Sequence, residues 1–139
     1  MRKDGISAET DALASDLFGQ AFDLLAEEAF SGVLLVAETQ KGETLSFEFS
    51  DDAIDVLLEG AYAKVKEIAK QEDPALRYAL AYVGAIEDEQ DNFSDALLVE
   101  FGESGYKAYS AYSYIENIAG HDQFAWTEPA PAGEVEALI

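Results

Sequence analysis

The chain has 139 residues, with 29 Asp and Glu against eight Lys and Arg, a formal net charge of −21 at pH 7. Charge of one sign on this scale repels phosphate, so nucleic acid and anionic membranes are excluded as ligands and a basic protein is the favoured partner class. With 49% hydrophobic and 12% aromatic residues the chain still carries the apolar surface a fold needs, at the length of a single domain.

The first predicted element is a helix over 7–30. Ser7 or Thr10 can cap it, and Glu9 and Asp11 suit the positive end of its dipole. Leu13, Leu17, Phe18, Ala21, Leu24 and Leu25 recur at three and four as an apolar stripe, widened by Phe22 and Phe30, with Asp16, Asp23 and Glu27 opposite. Ser31 and Gly32 end it. Residues 33–37 are a continuous apolar run, the pattern of a strand covered on both faces. After a turn at 40–43, Leu45, Phe47 and Phe49 alternate with Ser46, Glu48 and Ser50, which predicts a strand with one wet face and a hairpin with the run before it.

A second helix is predicted over 51–71, with Ser50 as cap, Asp51 and Asp52 in the first turn, and Ile54, Leu57, Leu58, Ala61, Val65 and Ile68 as its apolar stripe. Lys64, Lys66 and Lys70 sit where the dipole favours cations, and Pro74 stops the element. The remainder reads as an antiparallel meander: strands at 78–86 and 96–101 around an acidic connection at 87–95, then a turn at 102–105. The tyrosine-rich segment 106–115 fits either period, and its alternation and tyrosine content favour a strand. Residues 124–126 are a last short strand.

The expected fold is therefore α+β: an antiparallel sheet of about five or six short strands, with the two amphipathic helices packed on one face. The expected organisation is a single domain over 1–126 followed by a Pro/Ala-containing tail over 127–139. The basic residues near the N-terminus have no apolar run behind them, so no secretory signal is expected. No stretch approaches the roughly 20 apolar residues of a spanning helix. With no cysteine in the chain, disulfides and thiolate chemistry are excluded, and a soluble, cytoplasmic protein is the expectation.

The charge is unevenly spread. Seven acids and no base lie between 87 and 103. The acidic connection fails the spacing of a calcium loop: counted from Asp88, Phe93 stands where glycine is needed and Val99 where the final glutamate belongs. Mimicry of nucleic acid needs denser charge than one helix supplies, since Asp16 and Asp23 are roughly 10 Å apart at 1.5 Å per residue. His121 is the single histidine, and no serine sits in a nucleophile elbow. With 29 acids, carboxylate pairs arise by chance and carry no information about acid–base catalysis.

No catalytic residue, metal ligand or cofactor is assigned. The expected function is a non-enzymatic acidic binding protein that docks or neutralises a basic protein, as an inhibitor or immunity protein does. Its expected contact residues are Glu87, Asp88, Glu89, Asp91, Asp95, Glu100 and Glu103 for steering, with Tyr106, Tyr109, Tyr112, Tyr114 and Trp126 as anchors. The rival readings are a structural homo-oligomer, a homodimer through the tyrosine segment being its simplest form, and a carboxylate-based metal-dependent hydrolase.

Overall fold

The computed structural model describes residues 2–27, 30, 32–87, 93–116, 125–126 and 129–139. The chain runs α1 (Ala8–Ala26), β1 (Val33–Thr39), β2 (Thr44–Phe49), α2 (Ile54–Ile68), β3 (Ala75–Glu87), β4 (Phe93–Glu103), β5 (Ala108–Glu116), β6 (Ala125–Trp126) and β7 (Ala130–Val135). The strands form one sheet in the order β2-β1-β3-β4-β5-β6, with β7 also paired to β5, and every pairing between named strands is antiparallel. This is the expected α+β architecture. The tyrosine-rich segment is a strand, β5, as its alternation indicated.

The helices do not share a face. Along β1, Val33, Leu35 and Ala37 pack with α2, while Leu34 and Val36 pack with α1. On β3, Tyr78 and Leu80 join the α2 side and Ala79 and Ala81 the α1 side. Successive strand side chains point to opposite faces, so β1 and β3 each contribute to two separate cores. The sheet is the middle of three layers, with α2 crossing over β1 between β2 and β3. The both-sides-covered pattern of 33–37 already required this arrangement, and placing both helices on one face was incompatible with it.

Helix α1 starts as its sequence dictates: the Ser7 Oγ accepts from the Thr10 amide at 3.1 Å. Helix α2 does not. Its N-cap is Ala53, without a side-chain hydrogen bond, and Ser50 lies outside the element. Asp51 adopts φ 69°, and this left-handed residue turns the chain out of β2 before helical geometry begins. Ile54, placed in the apolar stripe by its spacing, is 41% exposed. The β1–β2 turn is tied to the start of β3 by Asp73, whose carboxylate accepts from Thr39 Oγ1 at 2.6 Å and from the Lys41 amide at 2.9 Å.

Within the segment read as a Pro/Ala tail, Ala130–Val135 is extended and hydrogen-bonded along β5. The last two residues, Leu138 and Ile139, pack on the α2-side core. The N-terminal segment meets them there: the Arg2 guanidinium donates to the Ile139 carbonyl oxygen and, at 3.3 Å, to that of Tyr106.

Candidate functional site

The expected contact residues scatter when the sheet is assembled. Asp88, Glu89 and Asp91 lie outside the described residues. Glu87 ends β3 opposite Phe93, and Trp126 pairs with Ile115 in β6; of these two only the backbone is described. Asp95 is exposed on β4. The other acids and the tyrosines divide between the two faces of the sheet.

Glu100 points to the α2 side and is 9% exposed. The Tyr62 hydroxyl, reaching down from α2, lies 2.9 Å from both carboxylate oxygens, and the Tyr82 hydroxyl donates to Oε2 at 2.7 Å. Burial, together with the bond to Glu100 and its charge, pushes both phenols well above the usual tyrosine range. Glu100 is therefore an internal acceptor, not a group free to meet a partner.

Glu103 points to the α1 side and is equally buried. It accepts from Ser7 Oγ at 2.8 Å, Thr10 Oγ1 at 2.9 Å and Arg77 Nε at 3.1 Å. Burial pushes its carboxyl up, but those three bonds and the Arg77 charge outweigh it and hold the group below its ordinary value. One side chain thus joins the start of α1, the end of β4 and the start of β3. Replacing it with glutamine should cost about 2–3 kcal/mol, because Arg77, itself 13% exposed, keeps only Glu38 at 3.6 Å. A depressed carboxyl stabilises above its unfolded value and loses that contribution as pH falls through its folded value. The stability gap between wild type and Glu103→Gln, measured by denaturant unfolding, should close as the solution is acidified below about pH 4. A gap that stays constant would show that charge is not its source.

Tyr106 and Tyr109 hold the N-terminal segment. Lys3 bridges to Tyr106 with its ammonium 5.5 Å from the ring centroid, and the Tyr109 hydroxyl accepts from the Gly5 amide at 2.9 Å. Tyr112 and Tyr114 pack edge to face, 5.1 Å apart, on the opposite side of β5 from Tyr109. The four tyrosines are not one patch.

A different surface emerges on the α1 side. The helix lies over β3 and β4, leaving a mostly apolar groove of about 620 Å³ between it and the β5–β7 edge. Phe101 and Tyr109 form its floor, Phe18, Gly19 and Phe22 its helix wall, and Pro129 and Pro131 the wall opposite. Asp11 lies at its helix side. That volume falls in the range of small-molecule and side-chain pockets.

The helix bordering the groove breaks two local rules. Gly19 sits mid-helix, where glycine costs about 1 kcal/mol relative to alanine, yet a Cβ there would meet nothing within 4 Å. Asp23 and Glu27 stand at the C-terminal end, where the dipole disfavours anions, and no base occupies the last turn. Indeed α1 contains no Lys or Arg at all, while Glu9, Asp11, Asp16, Asp23 and Glu27 are all exposed.

Most of the cations are engaged elsewhere. Arg77 lies between Glu38 and Glu103, Lys107 binds Asp4 at 2.8 Å with Glu134 at 3.8 Å, Lys64 lies over Phe47, and Arg2 and Lys3 anchor the N-terminus. Lys41, Lys66 and Lys70 are exposed. Among the described residues no group of three or more His, Asp and Glu could hold a metal ion, and His121 lies outside them. Among those residues, too, no helix is long and apolar enough to cross a membrane.

The acids of α1 were legible in the sequence only as ordinary helix-surface residues. The signals that single them out are the absence of any base from 8 to 27 and a glycine in mid-helix. Comparison with protein-family models, curated proteins and solved structures gives no match, so the functional reading rests on this geometry alone.

Proposed function

We propose that the protein is a non-enzymatic acidic binding module whose partner is a basic protein, and that α1 supplies the steering surface. The observation that carries this reading is the unbroken acidity of the helix: four exposed carboxylates on α1 and a fifth, Glu27, at its C-cap, with no base among them. Five of the eight cations are meanwhile drawn into internal contacts. Steering of this kind acts mainly on the association rate and is strongly salt-dependent.

The test is a pull-down with purified basic proteins at low and high salt, beside the Asp11→Asn/Asp16→Asn/Asp23→Asn variant. The screening length shrinks from ~30 Å at 0.01 M to ~3 Å at 1 M salt. Retention should be strong at low salt, fall steeply on raising it, and drop by about tenfold in the triple variant at low salt. Retention that ignores both salt and the three substitutions would sink the reading.

A further inference from the structure

We propose that the groove between α1 and the β5–β7 edge receives the apolar face of an amphipathic, basic segment of the partner; this rests on the acidic-module reading above. The occupant's chemistry follows from the walls. Phe18, Phe22, Phe101 and Tyr109 offer apolar and aromatic surface, and the groove's volume of about 620 Å³ accommodates more than one large side chain.

The rim sets the sign of charge. Asp11 borders the groove, and Asp16 and Asp23 follow on the solvent side of the same helix, with no cation on α1 to offset them. A segment that is apolar on one face and basic along its edges matches both features, since amphipathic segments dock by laying their apolar face into such a groove. An acidic or fatty-acid ligand would be repelled by Asp11, the one charged side chain in the groove's lining. The glycine fits this reading: at Gly19 a side chain would project into open space toward the groove. The helix forgoes propensity there and keeps the groove open, and local rules are broken most often where function requires it.

The experiment uses the full chain and four probes. Three are fluorescein-labelled synthetic peptides: a Leu/Lys peptide patterned as an amphipathic helix, the same composition in scrambled order, and a patterned Leu/Glu peptide. The fourth is the neutral apolar dye N-phenylnaphthylamine. The variants are Gly19→Ala, Gly19→Leu and the Asp11→Asn/Asp16→Asn/Asp23→Asn triple. Both Gly19 variants should melt at the same temperature as wild type or higher, because each improves helix propensity.

Wild type and Gly19→Ala should bind the patterned Leu/Lys peptide at least about tenfold more tightly than the scrambled one, through apolar burial. The Leu/Glu peptide should not bind. Gly19→Leu should reduce the preference for pattern to within about twofold, leaving residual charge-driven binding. The triple variant should weaken both basic peptides alike.

If wild type shows no preference for the patterned peptide, or Gly19→Leu retains it, the groove proposal is overturned while the acidic-module reading survives. If neither basic peptide binds at low salt, both fail. Dye bound by wild type and expelled by Gly19→Leu, with the peptide preference unchanged, would assign the groove to a small molecule instead. A dimer mass in wild type that Gly19→Leu abolishes would assign it to a second copy of the chain. Either result overturns the proposal.

Discussion

Replacing Gly32 with alanine should destabilise this protein by about 3 kcal/mol or more, lowering its melting temperature by roughly 10 °C. Two effects combine at this residue. Its φ of 72° is in the left-handed region, where a Cβ alone costs roughly 1–2 kcal/mol. A Cβ would also stand 1.8 Å from the Phe49 carbonyl oxygen, with Leu57 Cδ1 at 3.2 Å beyond it. Phe49 pairs with Val33 at the end of the β1–β2 ladder, and Val33 is fully buried. The chain can accommodate the methyl group only by moving β2 away from β1 where α2 packs on them. Gly42→Ala isolates the first effect, because Gly42 has φ 89° but open space around it. That variant should lose only the backbone contribution, about 1–2 kcal/mol. Denaturant unfolding of the two variants measures the difference, and equal losses would show that the approach of Phe49 is not what demands glycine at 32.

The elements legible in the sequence were those whose pattern repeats. The stripe through Leu57, Ala61, Val65 and Ile68 gave α2, and the alternation of Leu45, Phe47 and Phe49 gave β2, because burial on one side imposes the period of the backbone on the side chains. The layer arrangement was legible as well, though only by weighing the run 33–37 against the placement of the helices. The site was another matter. A carboxylate reads the same in sequence whether it meets water or two tyrosine hydroxyls, so Glu100 and Glu103 looked like members of an acidic surface. What separates them is strand parity and register: Glu100 faces Ser110 and Leu80, and Glu103 faces Arg77. Register depends on pairings between residues distant in sequence, and no local pattern encodes it. The tyrosines failed for the same reason, since Tyr109 and Tyr112 are three apart on a strand and so occupy opposite faces. Conversely, the α1 acids gain meaning only once the groove beside them exists, and its far wall comes from residues more than a hundred positions later.

Raising the pH should unfold the protein in one cooperative step well above the ordinary tyrosine range, with three of its seven tyrosines ionising only in that step. Burial, partly opposed by a hydrogen bond with the Leu138 backbone and reinforced by the Glu100 charge, pushes Tyr78 up to about 12. Tyr62 and Tyr82 are pushed further, each by burial and by Glu100. In all three the fold favours the neutral phenol. The stabilisation is therefore complete below the unfolded value near 10 and is withdrawn as pH rises through the folded values. For Tyr78, which is 1% exposed, that withdrawal amounts to ~3 kcal/mol, a large share of a stability of about 5–15 kcal/mol. Tyrosinate absorbance followed beside far-ultraviolet circular dichroism should show the ionisation of these three coinciding with loss of the fold. At neutral pH, Tyr82→Phe should cost about 2 kcal/mol, the loss of a hydrogen bond to a charged acceptor. Adding Tyr62→Phe should cost more than the sum of the two single changes, because a buried carboxylate then loses both of its tyrosine donors. The gap between wild type and either variant should narrow from pH 10 upward, since the substituted ring no longer has a proton to lose. Ionisation of Tyr62, Tyr78 and Tyr82 near pH 10, with the fold intact, would mean that Glu100 and its two hydroxyl donors are open to water.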